Sequence, residues 1–195
     1  MVDQSPVKLV ILDRDGVINE DSEDYIKSAE EWQPLPGSIE AIARLSQAGY
    51  LVAVATNQSG LARGYFDEIA LANMHNLMNA LVEDAGGSIA VVCYCPHHPD
   101  AGCDCRKPLP GLLNQIEEAL GNSVAGAWYV GDSYKDVEAA LNKACKPILV
   151  RSGKGARTEA ALSVEDRQQL LVVDDLAAAA TCILSMDAAN ASTSV

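Results

Sequence analysis

The chain predicts a single α/β domain: a doubly wound, Rossmann-like parallel sheet with helices on both faces and no separate cap domain. Three observations carry that expectation. Short apolar runs rich in β-branched residues recur along the 195 residues. Between them lie segments with apolar residues at helical spacing, joined by short connections that suit right-handed crossovers. Several of the apolar runs close on polar residues, which is where an open α/β sheet gathers its chemistry.

Residues 7–12 read as the first strand, ending in Asp13-Arg14-Asp15-Gly16. Residues 19–32 are polar and irregular, as expected of a loop crossing the rim of a site. Ile39, Ile42 and Leu45 mark a helix over 38–47, stopped by Gly49. Residues 50–55 form a second strand, closing on Thr56-Asn57-Gln58-Ser59-Gly60. Asp67 caps a helix reaching residue 83, with Ile69, Leu71, Met74, Leu77, Met78 and Leu81 as its apolar set. A third strand over 89–94 runs into a loop of cysteines and histidines. Next come a helix over 111–120, a strand over 124–130 ending in Gly131-Asp132, and a helix over 134–142. Strands at 147–150 and 170–173 and a helix from Leu176 complete the order. One domain spans 1–186, and 187–195 reads as a disordered tail.

Bulk properties exclude several classes. A formal charge of −13 argues against a general nucleic-acid binder, because phosphate backbones reward basic surfaces. It leaves room for a small phosphorylated substrate. No segment is long enough to cross a membrane, and residues 1–6 lack the layout of a signal peptide, so a cytoplasmic protein is expected. With no long apolar stripe left after the core is assigned, a monomer is expected.

In a doubly wound sheet the carboxyl ends of the strands converge on one crevice. Asp13 and Asp15 point the same way from the end of strand one. Such a pair can hold a cation, or divide attack and proton handling between them. Alone, the two equally suit a turn. Strand two offers Thr56 and Asn57, the loop after strand three delivers Arg106 and Lys107, and strand four gives Asp132, with Ser133 and Asp136 beyond. Asp132 by itself reads as a helix cap. Four such sets at successive strand ends read together as a site for phosphate chemistry.

The six cysteines are bunched: Cys93, Cys95, Cys103 and Cys105 lie close together, while Cys145 and Cys182 are isolated. That pattern favours a metal over a disulfide framework. Cys95, His97, Cys103 and Cys105 give C-x-H-x5-C-x-C, a tetrahedral zinc set with no open position, and so a structural zinc loop over 95–105. Cys93 reads as strand packing, and His97 is preferred to His98 as ligand. Since Arg106 and Lys107 follow the last ligand directly, the zinc fixes the loop that carries them.

Asp13-Arg14-Asp15-Gly16, Thr56, Lys107 and Gly131-Asp132 with Asp136 resemble, in order, the four motifs of the haloacid dehalogenase-like phosphatases. The resemblance covers residues 7–185, with Val17 standing where many members carry threonine. It implies Asp13 as nucleophile forming an aspartyl-phosphate, and Asp15 as acid and then base. It also implies Mg²⁺ held by Asp13, the Asp15 carbonyl and Asp132, with Thr56 and Lys107 stabilising the phosphoryl oxygens. The zinc loop and the segment Thr56-Asn57-Gln58-Ser59-Gly60-Leu61-Ala62-Arg63-Gly64-Tyr65-Phe66 resemble those of the heptose-bisphosphate phosphatases of lipopolysaccharide precursor synthesis. That family removes the 7-phosphate of D-glycero-D-manno-heptose 1,7-bisphosphate. The resemblance implies substrate contacts from Arg106, Asn57, Gln58 and Ser59, with Asp21 and Ser22 as weaker candidates and Arg63 as one able to reach a second phosphate. Histidinol-phosphate phosphatase, with a similar zinc loop, is the alternative. The x5 spacing between His97 and Cys103 is shorter than in some heptose phosphatases, which leaves the anomer open.

Overall fold

The computed structural model describes residues 7–168 and 170–193, with side chains to residue 189. Residues 1–6, on which the signal-peptide reading fell, lie outside the described residues. Six strands form one sheet in the order β3-β2-β1-β4-β5-β6: β1 (Leu9–Leu12), β2 (Leu51–Asn57), β3 (Val91–Cys95), β4 (Trp128–Gly131), β5 (Lys146–Val150) and β6 (Leu171–Val173). Every neighbouring pair is parallel. The order reverses between β1 and β4, so the crevice beyond their carboxyl ends is the topological switch point, where such sheets bind ligands.

The period-2 alternation of the strands builds two cores. Val10, Leu12, Val52 and Val54 face α1 (Ser38–Gln47), α2 (Glu68–Asp84) and α7 (Leu176–Thr193). Leu9, Ile11, Ala53 and Ala55 face α3 (Gly111–Leu120) and α4 (Tyr134–Asn142). The alanines on that second face leave room for α3 to lie close against β2 and β3. Gly111 lets the start of α3 touch the backbone of the Cys/His loop, because a Cβ there would stand 2.6 Å from the Asp104 oxygen and the Cys105 Cα.

The helices expected at 38–47, 111–120 and 134–142 form over those residues. Asp67 caps α2, accepting from the Ala70 amide at 2.8 Å. Three expectations are corrected. Ile69 is 71% exposed, because it sits on the outer face of α2 while Leu71, Met74 and Met78 face the core. Two short helices, α5 (Gly155–Ala161) and α6 (Val164–Gln168), fill the connection between β5 and β6 that the sequence left unassigned. The stretch from Asp187, read as a disordered tail, continues α7 as far as Thr193, and Lys8 bonds Asp187 at 2.8 Å.

Candidate active site

The first β-strand is buried along its length, and its end projects Asp13 and Asp15 into a cleft of about 540 Å³. Gly16 makes this turn possible. Its φ is +83°, and a Cβ there would collide with the Asp132 carboxylate arriving from β4. Gly153, at φ +56°, faces the same carboxylate from the β5 side under the same constraint. The three loops meet this closely because two of them are backbone only.

Asp13, Asp132 and Asp136 place carboxylate oxygens within 4.8 Å of one another. Burial first, then the neighbouring Asp136 and Asp132 charges, push Asp13 up to about 8 against the pull of Lys107. Burial likewise raises Asp132 to about 6, despite its hydrogen bond from the Lys154 amide. A crowded, largely buried set of hard oxygen donors, with Asp13 and Asp132 raised in proton affinity, suits a small divalent cation. Asp136 contributes differently from the other two. It closes a capping box, accepting from the Ser133 amide at 3.1 Å and hydroxyl at 2.6 Å, while its other oxygen takes Lys107 at 2.6 Å. The helix-cap reading therefore belongs to Ser133 and Asp136, and Asp132 is left to face the cleft.

Lys107 is 3% exposed. Its three ammonium protons meet Asp13 Oδ1 at 2.9 Å, Asp136 Oδ1 at 2.6 Å and the Ala55 carbonyl at 2.8 Å. Two carboxylates outweigh the burial that opposes its charge and hold its pKa well above the ordinary lysine range. Asp15 stands apart from the three-carboxylate cluster. Burial alone would raise its carboxyl, but the Arg14 guanidinium and hydrogen bonds from Asn19 and Gln58 outweigh it and keep the group below its usual range.

Asn57, Gln58, Ser59 and Arg106, expected on the substrate side, all line the cleft, but two have their amides engaged elsewhere. Asn57 donates to the Lys107 carbonyl at 3.2 Å and accepts from its amide at 3.1 Å, so it ties the end of β2 to the lysine loop. Gln58 donates to Asp15 Oδ2 at 2.7 Å and to Thr56 Oγ1 at 2.9 Å. Thr56 and Ser59 are buried at the cleft wall, and Arg106 is half-buried. Asp21 and Ser22 line the rim, whereas Arg63 is exposed and lies outside the lining.

Sequence reasoning missed Lys154, which follows β5. Its ammonium bonds Asp21 across the rim at 2.7 Å, and its amide bonds Asp132 at 2.8 Å. The signal was present: Arg151-Ser152-Gly153-Lys154 closes the fifth strand as the other polar sets close theirs. Tyr25, Tyr134 and Lys135 also line the cleft unforeseen. Tyr25 adopts a positive φ of 65° in the rim loop and its ring stands 5.0 Å from the Tyr65 ring, so the first half of the loop is held by contacts at both Asp21 and Tyr25.

Beside the cleft, Cys95, His97, Cys103 and Cys105 converge. Their ligand atoms stand 3.1 to 3.7 Å apart across four of the pairs. A tetrahedron of ligands ~2.3 Å from zinc has edges of ~3.7 Å, so the donor set fits that ion. His98 turns outward and caps the 3-10 turn Pro99–Ala101 through the Asp100 amide. Cys93 is buried strand packing.

Residues 104–179 match the HAD-hydrolase-like family model. A D-glycero-beta-D-manno-heptose-1,7-bisphosphate 7-phosphatase from Pseudomonas aeruginosa is 57% identical over 90% of this chain and 97% of its own. The D,D-heptose 1,7-bisphosphate phosphatase of Bordetella bronchiseptica, solved with magnesium and phosphate, superposes with a TM-score of 0.86. It is 47% identical, over 92% of this chain and 99% of that one. The Burkholderia thailandensis counterpart gives 0.71 at 41% identity, over 91% and 99%. With the strand-end carboxylates, the lysine and the Cys/His cluster all in place, the chain belongs to the heptose-1,7-bisphosphate 7-phosphatase family of HAD-like hydrolases.

Proposed function

We propose that this protein removes the 7-phosphate of D-glycero-β-D-manno-heptose 1,7-bisphosphate by way of an aspartyl-phosphate on Asp13, within ADP-heptose synthesis for lipopolysaccharide. The observation that supports it best is the meeting of Asp13, Asp132 and Lys107 across the switch point of the sheet, in a chain 57% identical to a phosphatase of that name. Magnesium fits beside Asp13 and Asp132, with the Asp15 carbonyl as a further ligand; when bound, it offsets the repulsion between a carboxylate nucleophile and a phosphate. Zinc fits Cys95, His97, Cys103 and Cys105, where it anchors the loop carrying Arg106 and Lys107. A cytoplasmic location, where thiols stay reduced, and a monomeric state belong to the same reading.

The reaction divides into two displacements. Asp13 attacks phosphorus in line, and the bond from phosphorus to the C7 oxygen breaks. The departing oxygen takes its proton from Asp15. An arriving phosphate raises the proton affinity of Asp15 by like-charge repulsion, which equips a carboxylate that is anionic at rest to serve as the acid. Water then attacks the aspartyl-phosphate, gives its proton to Asp15, and releases phosphate with Asp13 restored. Lys107 steadies the nucleophile and lies beside the charge that builds on the phosphoryl oxygens, as does the Thr56 hydroxyl. Arg106, Ser59 and the rim loop face the sugar.

Phosphate release from both anomers of heptose 1,7-bisphosphate and from histidinol phosphate tests the reading. Preference for the β-bisphosphate with the 1-phosphate retained supports it. Preference for histidinol phosphate, or loss of the 1-phosphate, would overturn the substrate.

A further inference from the structure

Arg14 lies between the two catalytic carboxylates in sequence, and nothing in the reaction above uses its side chain. That side chain is 1% exposed, an unusual place for a guanidinium. Its Nε and Nη2 donate to Asp15 Oδ1 at 3.0 and 2.8 Å, and Nη2 also reaches Oδ2 at 3.1 Å. On the far side Nη1 stands 3.4 Å from Nε2 of His75, on α2. Burial first, and then the Arg14 charge, hold His75 down to about 4, so the ring is neutral at pH 7 and Nε2 accepts from the guanidinium. The ring is itself backed by Tyr94 of β3, at 5.9 Å between centroids. Arg14 is thus wedged between a rigid helix and the carboxylate it grips.

The distribution of donors on Asp15 is uneven. Oδ1 receives Arg14 Nε, Arg14 Nη2 and Asn19 Nδ2, three donors for two lone pairs. Oδ2 receives Gln58 and only the long leg of the fork. A buried ion pair adds little net stability against an apolar replacement, so stability gives no reason to keep one here. A planar fork does, however, fix the plane of a carboxylate in a way a point charge cannot.

We propose that Arg14, backed by His75, is a positioning residue that locks the plane of the Asp15 carboxylate for the proton transfer to the leaving oxygen. The inference rests on the reading above that Asp15 is the acid. It explains how the acid is oriented from beneath, since the described residues include no cap domain to close over it.

The test compares two leaving groups. A sugar alkoxide needs its proton as it departs, whereas p-nitrophenolate leaves without one. kcat/KM covers the steps up to cleavage of that bond for both substrates. Arg14→Gln is expected to lower kcat/KM for the heptose bisphosphate by about 10²-fold through kcat, with KM unchanged, and for p-nitrophenyl phosphate by less than about threefold. Arg14→Lys restores little, since an ammonium lacks the fork. His75→Phe, which removes the backing acceptor and leaves every partner of Asp15 in place, gives a smaller loss with the same selectivity, and it decides the matter should the Arg14 variants not fold. Equal losses on both substrates, or none on the bisphosphate, would overturn the proposal. Asp15→Asn separates the two layers. If it discriminates between the leaving groups and the Arg14 variants do not, only the positioning role falls; if Asp15→Asn fails to discriminate, the acid assignment falls first.

Discussion

Two ligand clusters lie side by side in this protein and are built on opposite plans. The carboxylates Asp13, Asp132 and Asp136 come from the end of β1 and from the turn and first helical turn after β4, and only the pairing of β1 with β4 brings them together. The thiols and imidazole of Cys95, His97, Cys103 and Cys105 come from one loop. The first set is hard and open to a cleft. The second is soft and closed, with Cys95 and Cys105 buried in the core against α3. A fold-built site can change its ligation during a reaction because the sheet holds its shape regardless. A loop-built site of the proposed zinc kind must keep all four ligands, because there the metal would give the loop its shape.

The largest expected effect breaks the open site. Asp13→Asn should lower turnover of the bisphosphate by at least about 10⁴-fold, since it removes the proposed nucleophile. The same change should stabilise the metal-free protein at pH 8. Asp13 and Asp132 are raised from 3.8 to about 8 and about 6, so the folded state holds more protons than the unfolded between those values. Stability of metal-free wild type therefore falls as pH rises through that window. Thermal melting should show the variant above wild type by a few degrees at pH 8 and level with it near pH 4. A higher wild-type value at pH 8 would contradict the burial account.

Cys105→Ser breaks the closed site. Zinc content should drop, melting should fall by roughly 10 °C, and proteolysis should cut within 96–106, because the loop and the seat of α3 loosen together. Metal analysis and limited digestion read both.

Asn57→Ala sharpens the comparison, since Asn57 couples the two regions through the Lys107 backbone. A loss of roughly tenfold in kcat, with zinc retained, is expected from a lysine no longer held in register. An effect confined to KM would return Asn57 to sugar binding. The smallest effect is Arg63→Ala, whose side chain is exposed outside the cleft; kcat/KM should stay within about twofold of wild type.

What the sequence revealed follows the same division. The convergence of the Cys/His set was legible from spacing alone, because all four side chains fall within eleven residues. The carboxylate site was legible through the strands, since each polar group closes an apolar run. Helices α1, α3 and α4 announced themselves by apolar period, with glycines or caps at their ends. Helices α5 and α6, with seven and five residues and few apolar ones, carry no such period. Side-chain partnerships were not legible. Nothing in the sequence says that Asn57 and Gln58 turn toward protein groups, or that Lys154 reaches across to Asp21. Those partners meet only once four loops have folded over one crevice.

The most direct test of this division is dialysis against a mild chelator, followed by metal counting and phosphate release from heptose 1,7-bisphosphate. The expected result is an inactive protein that keeps one zinc per chain, regains full activity with magnesium and gains none from added zinc. Activity that survives the chelator, or full recovery with magnesium in protein that has lost its zinc, would contradict it.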